Sequence, residues 1–83
     1  EELSLWLIDH LRENYQGTLT ERYQITEQGT SVEVLEQIAK ARGCLKKQEE
    51  LDYAKAALLL FDDFRSGKLG RITLEWVKNE NDQ

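Results

Sequence analysis

The side chains whose type or spacing could do chemistry are few: one cysteine, Cys44, one histidine, His10, an adjacent carboxylate pair, Asp62-Asp63, and two runs of basic residues. A cysteine nucleophile needs a base beside it. The only histidine falls at the edge of an apolar stripe near Leu3 and Trp6, so His10 reads as a boundary residue and Cys44 as a small buried or half-buried thiol. A lone cysteine also excludes an internal disulfide and a cysteine-rich zinc site, and it fits a reducing, cytoplasmic compartment. Successive helical residues diverge by about 100°, so Asp62 and Asp63 do not converge on one cation. The pair reads as solvated, with Asp62 in reach of Arg65 three residues on. Phosphate-cradling loops of the GxxxxGK[ST] or GxGxxG type do not occur, and Gly67-Lys68-Leu69-Gly70 reads as a turn. These residues give no catalytic constellation, no metal site and no cofactor site.

The basic runs are more informative. The 83 residues carry 11 Lys+Arg against 16 Asp+Glu, a net charge of −5 that as an average would repel nucleic acid. Residues 40–47 and 65–71 nonetheless hold seven basic residues and no acidic one, leaving four basic against sixteen acidic residues, a net −12, for the rest. Both runs begin where a helix should end, and there the helix dipole favours cations whatever their function. Lys46, Lys47, Lys68 and Arg71 fall beyond those ends, in loops where they can reach a phosphate backbone without burial. With Arg65 they are the candidate RNA-phosphate contacts. Arg42 falls at the centre of an apolar arc and reads as a structural residue. Lys40 shares its face with Glu33, Glu36 and Gln37, and those glutamates argue against a DNA-reading helix.

Positioning these residues falls to helices. Proline is absent, and the five glycines (17, 29, 43, 67, 70) all lie between amphipathic stretches. From Glu2 to Gln16, Leu3, Leu7, Ile8, Leu11 and Tyr15 recur at three- and four-residue intervals and predict a first helix. Thr18 and Glu21 are spaced as a capping box for a short helix through about Gln24, and Thr30 and Glu33 repeat the device. The third helix then buries Val34, Leu35, Ile38, Ala39 and Ala41 and stops at Gly43. After a polar stretch, Cys44 to Leu51, Asp52 caps a fourth helix, Tyr53 to Ser66. Its apolar arc is Tyr53, Ala56, Ala57, Leu60, Phe61 and Phe64, with Asp62 on the wet strip. Ile72, Leu74 and Trp76 alternate as an extended strap over the helices. The expectation is an all-α protein, a small bundle of about four helices with an extended C-terminal strap, in which residues 1–77 form one domain and 78–83 a polar tail. The longest apolar run, Ala56 to Phe61, has six residues where a membrane span needs about twenty. Helical periodicity starts at Glu1 without a methionine, which suggests part of a longer protein.

The run Asp63-Phe64-Arg65-Ser66-Gly67-Lys68-Leu69-Gly70-Arg71-Ile72-Thr73-Leu74-Glu75 resembles the carboxy-terminal signature of the ribosome biogenesis GTPase A family, circularly permuted GTPases that assist assembly of the large ribosomal subunit. Leu11 to Tyr15, Glu21-Arg22-Tyr23, Arg42-Gly43-Cys44-Leu45 and Asp52 followed by Ala56-Ala57 support the likeness. The resemblance implies a helical domain following the GTPase domain, similar in fold to the RNA-binding ANTAR domain, that docks on ribosomal RNA of the large-subunit precursor. It places GTP and Mg in the preceding domain, so this chain should neither bind nor hydrolyse GTP. The rival reading is a protein-interaction or regulatory domain packing on the GTPase domain or a ribosomal protein. Two departures stand out: Gln48-Glu49 replaces the family's Gly-Gly turn, setting acidic charge beside Lys46-Lys47, and Gln16 stands where the family often has proline.

Overall fold

The computed structural model describes residues 2–72. They form α1 (Glu2–Asn14), α2 (Thr18–Tyr23), α3 (Ser31–Ala41) and α4 (Tyr53–Arg65), with a single 3-10 turn at Lys47–Glu49. The protein is a small helical bundle, as expected. Among the described residues no β-strand forms; the only β pairing is one isolated bridge, Leu45 to Leu51. The alternating segment Ile72 to Val77 is described only at Ile72, which packs half-buried against the core. The rest of the strap and the 78–83 tail lie outside the described residues.

Helix α1 packs against the other three helices. Its buried face is Ser4, Leu7, Ile8 and Leu11, one residue round from the expected stripe. Leu3 is 58% exposed as a result. In α3 the arc Val34, Leu35, Ile38 and Ala39 is buried as expected, but Ala41 is exposed because the helix ends there and its face turns outward. Asp52 caps α4, accepting from the Lys55 N–H at 3.0 Å.

One capping box forms and the other does not. At α3 the Thr30 hydroxyl accepts from the Glu33 N–H at 3.1 Å and the Glu33 carboxylate accepts from the Thr30 N–H at 2.8 Å. At α2 the cap residue is Gly17, in the left-handed region at φ 89°, which makes Thr18 the first helical residue and takes its hydroxyl past the capping position. The free amides are met from a distance instead. Glu27 accepts from the Gly17 N–H at 3.2 Å and the Thr20 N–H at 3.0 Å. Arg12 fixes that loop from below, donating to the carbonyls of Glu27 at 3.1 Å and Gly29 at 2.5 Å.

Helices α3 and α4 stop in the same way. After Ala41 the Gly43 N–H donates to the Lys40 carbonyl and the Cys44 N–H to that of Ala39; after Arg65 the Gly67 N–H donates to Phe64 and the Lys68 N–H to Asp63. Both are Schellman motifs with a left-handed glycine. The polar stretch between the helices is a miniature hairpin, closed where the Lys46 N–H donates to the Glu50 carbonyl at 2.6 Å and the Asp52 N–H to the Cys44 carbonyl at 2.7 Å.

Candidate nucleic-acid interface

The five expected phosphate contacts fall into two groups. Lys46 and Lys47 stand exposed on the hairpin that precedes α4; Arg65, Lys68 and Arg71 lie at and beyond its other end, also exposed. Thirteen residues of α-helix separate the groups by about 20 Å. They are two basic ends and not one patch. Arg65 is paired with Asp62 at 2.5 Å, as its spacing suggested, with both side chains largely exposed. Such a pair contributes little and opens readily.

Asp63 corrects the sequence reading. It is not solvated with its neighbour but 4% exposed, on the buried face of α4 with Ala56, Ala57 and Leu60. Its carboxylate accepts from the Tyr23 hydroxyl at 2.7 Å and from Arg22 Nε at 3.2 Å. Burial alone would raise its pKa. The hydrogen bonds from Tyr23 and Arg22 and the charges of Arg22 and Lys68 outweigh that and hold it below the usual carboxylate value. Burial, and then the same carboxylate, push the Tyr23 phenol up. Arg42 is structural, as its register implied: it donates to the Arg22 carbonyl at 2.7 Å and sets its guanidinium 5.1 Å from the centre of the Tyr23 ring.

Arg22, Tyr23 and Asp63 thus form a largely buried cluster beneath the α4 end that residue types alone did not assign. The available signal was register, since Asp63 lies three residues after Leu60 and seven after Ala56, on the face both bury. The reactive candidates are absorbed by packing. Cys44 is buried in the core, and His10 stacks on Trp6 with ring centres 5.2 Å apart.

A guanine nucleotide does not fit the glycine-lysine turn. Nucleotide loops bring phosphate to amide donors at a helix N-terminus, whereas residues 67–70 follow the C-terminus of α4, where carbonyls face the loop and the Gly67 and Lys68 amides are already spent on the Schellman bonds. Among the described residues no three His, Cys, Asp or Glu side chains are grouped to hold a metal ion, and no helix is long and apolar enough to cross a membrane.

What fold and site define is a small helical bundle, four helices among the described residues, carrying basic residues on two glycine-stopped helix ends. Its sequence relatives give that domain a context. The chain is 31% identical over 84 residues to ribosome biogenesis GTPase A of Bacillus cereus, a match taking in 100% of this chain and 28% of that protein. It is 30% identical over 76 residues to the protein of the same name from Bacillus licheniformis, covering 90% of this chain and 27% of the relative; the figures for Bacillus pumilus are 29%, 90% and 27%. The chain therefore resembles one part of ribosome biogenesis GTPase A and spans a little over a quarter of the length of these relatives. It is a domain related to a ribosome-biogenesis GTPase. No protein-family model matches it.

Proposed function

We propose that this chain is an RNA-docking domain of a ribosome-biogenesis GTPase acting in the cytoplasm, one that brings the protein onto ribosomal RNA of the large-subunit precursor. One observation carries the reading: in a chain of net charge −5, seven basic residues are concentrated at the two Schellman-stopped helix ends. Lys46, Lys47, Arg65, Lys68 and Arg71 are the phosphate contacts in this reading. GTP, Mg and hydrolysis belong to the GTPase domain, a covalent neighbour, and residues 1–77 act as the docking unit.

Binding of the chain to large-subunit ribosomal RNA, measured by fluorescence anisotropy across salt concentrations, tests this. Five engaged phosphates give a slope of log affinity on log salt of about −3.5 to −4.5, so a fourfold rise in salt should weaken binding a few hundredfold. Salt-insensitive binding would sink the electrostatic account.

A second reading has its own support. Leu3 and Leu58, 58% and 66% exposed, flank half-buried Phe61 on a groove between α1 and α4, the kind of surface that packs on another domain or a ribosomal protein. Reversing the charge of Lys68 and Arg71 separates the two. Lost subunit association at unchanged thermal stability supports RNA docking, and unchanged association supports the protein-binding surface.

A further inference from the structure

A cleft lies between α2 and the turn that follows α4. Thr18, Glu21 and Arg22 form one wall, Gly67, Lys68 and Gly70 the other, and its volume of about 570 Å³ falls in the range of small-ligand sites. Three features make it more than a surface dent. Arg22 is held at two points, its Nε by the buried Asp63 carboxylate and its carbonyl by Arg42, while neither terminal nitrogen has a hydrogen-bond partner among the described residues. The Nε bond to a buried carboxylate orients the guanidinium before any ligand arrives, so less side-chain freedom is lost on binding. Opposite it, Leu69 is buried in the core and anchors the turn that carries exposed Lys68. The rim on that side carries no side chain: at Gly67 and Gly70, with φ of 81° and 93°, a Cβ would meet nothing within 4 Å, so the cleft is open there, and because the Gly67, Lys68 and Gly70 amides are already bonded an anion in it is met by the side chains of Arg22 and Lys68.

We propose that this cleft binds a single phosphodiester group of RNA, with Arg22 and Lys68 as its donors and with Asp63 and Tyr23 as positioning residues that aim Arg22. The assignment rests on the RNA-docking reading and adds to it a residue, Arg22, that lies outside both basic runs. A guanidinium fixed through Nε presents its two terminal N–H groups side by side, the geometry that matches two phosphate oxygens. Lys68 supplies the second charge. Glu21, exposed on the same wall, is the acidic group of the cleft; its repulsion suits a singly charged diester and disfavours a dianionic free phosphate.

The test is an NMR titration of the 83-residue chain with a hexaribonucleotide and, separately, with inorganic phosphate, following the amides of Gly67, Leu69 and Gly70, backed by salt-dependent anisotropy with ribosomal RNA. Saturable shifts at these amides are expected with the hexaribonucleotide, at least tenfold more tightly than with phosphate. Arg22→Gln keeps a donor for Asp63 and should lower RNA affinity about tenfold and the salt slope by part of the roughly 0.7–0.9 that one phosphate carries; Lys68→Gln, which removes no structural bond, should lower the slope by part of the same amount, and the double variant by all of it. Asp63→Asn should weaken binding about threefold at an unchanged slope, because it misaims a contact without removing one. A loss of affinity and slope in Lys68→Gln serves as the measure should an Arg22 variant lose its dispersed spectrum. Shifts confined to the amides of Lys46 and Lys47, or an affinity indifferent to Arg22 and Lys68, would overturn the cleft and leave RNA docking standing. Phosphate binding as tight as RNA would overturn the diester assignment. Absence of any RNA binding would remove both readings.

Discussion

The ends of α3 and α4 are built from one plan and finish as different surfaces. Each helix stops in a Schellman motif on a left-handed glycine, Gly43 at φ 65° and Gly67 at φ 81°, and each runs on into lysines. After Gly43 the chain dips into the core at Cys44 and then closes on itself: Lys46 and Lys47 ride a hairpin held by backbone bonds between residues 44 and 52. After Gly67 it is tied to the interior by a buried charge as well as by the core residue Leu69. Asp63, whose carbonyl takes the Lys68 N–H, turns its carboxylate to Tyr23 and Arg22, forty residues earlier in the chain. Positive charge at a helix end is a local matter of dipole and glycine, but the stiffness of the surface bearing it depends on partners far away in sequence. The α3 end offers two charges on a loop; the α4 end offers a charge aimed from beneath.

Removing the buried anchor should break the comparison most sharply. Asp63→Ala leaves the Tyr23 hydroxyl without its acceptor and strands Arg22, at a cost of about 3 kcal/mol, near the lower bound for a buried pair because the Arg22 side chain is a third exposed. Tyr23→Phe, which deletes one hydrogen bond, should cost about 1 kcal/mol. Lys46→Ala and Lys47→Ala should each stay within about 0.5 kcal/mol of wild type. Urea midpoints at constant m-value measure all four. Equal sensitivity at the two ends would show that Asp63 anchors nothing.

Acid sharpens the same contrast. The Asp63 pKa is lower in the folded chain than in the unfolded one, so its ionised form contributes stability above the unfolded value of about 3.9 and loses that contribution as pH falls through the folded value. The stability difference between wild type and Asp63→Asn should therefore be constant from pH 7 to about 5 and shrink as pH falls toward 2. A difference that persists at the acid end would mean that the carboxylate's charge contributes nothing.

The fold and the site were legible to different depths. Periodicity, the Thr30 box, the Asp52 cap and the glycine stops are local signals, and the helices they predict are present with ends within two residues. The structural role of Arg42 also followed from its register. Glu27 as the distant cap of α2 had no local signal, because it approaches Gly17 through the fold. Asp63 was hidden by chemistry: a carboxylate beside another carboxylate reads as wet unless its register is allowed to override its polarity. Arg22 stayed unassigned for the related reason that its role depends on Asp63.

For RNA binding the two ends should differ in kind. Lys46→Ala with Lys47→Ala should lower the salt slope by about 1.4–1.8, the loss of two phosphate contacts, with no change at the Gly67 and Gly70 amides. Lys68→Ala with Arg71→Ala should lower the slope by somewhat less, because Arg22 still meets the cleft phosphate, and weaken those shifts. One pair abolishing binding outright while the other has no effect would replace two docking ends by one.

The smallest expected effect concerns the hairpin itself. Gln48 sits at φ 64°, ψ 26°, in the left-handed region, where a residue with a Cβ is strained by about 1 kcal/mol relative to glycine. In the unfolded chain glycine gains conformational freedom that offsets part of that relief. Gln48→Gly should therefore stabilise the protein by only about 0.5 kcal/mol, read as a small rise in urea midpoint. Its value lies in what should stay still. Because Lys46 and Lys47 lie beyond the points where Cys44 and Leu51 fix the hairpin on the core, the Gly67 and Gly70 amides and the Arg22 side chain should keep their wild-type shifts, while the amides of Lys46 and Lys47 move. Shifts appearing at Gly67 would mean that strain at one basic end is felt at the other, and the two would have to be treated as a single coupled surface.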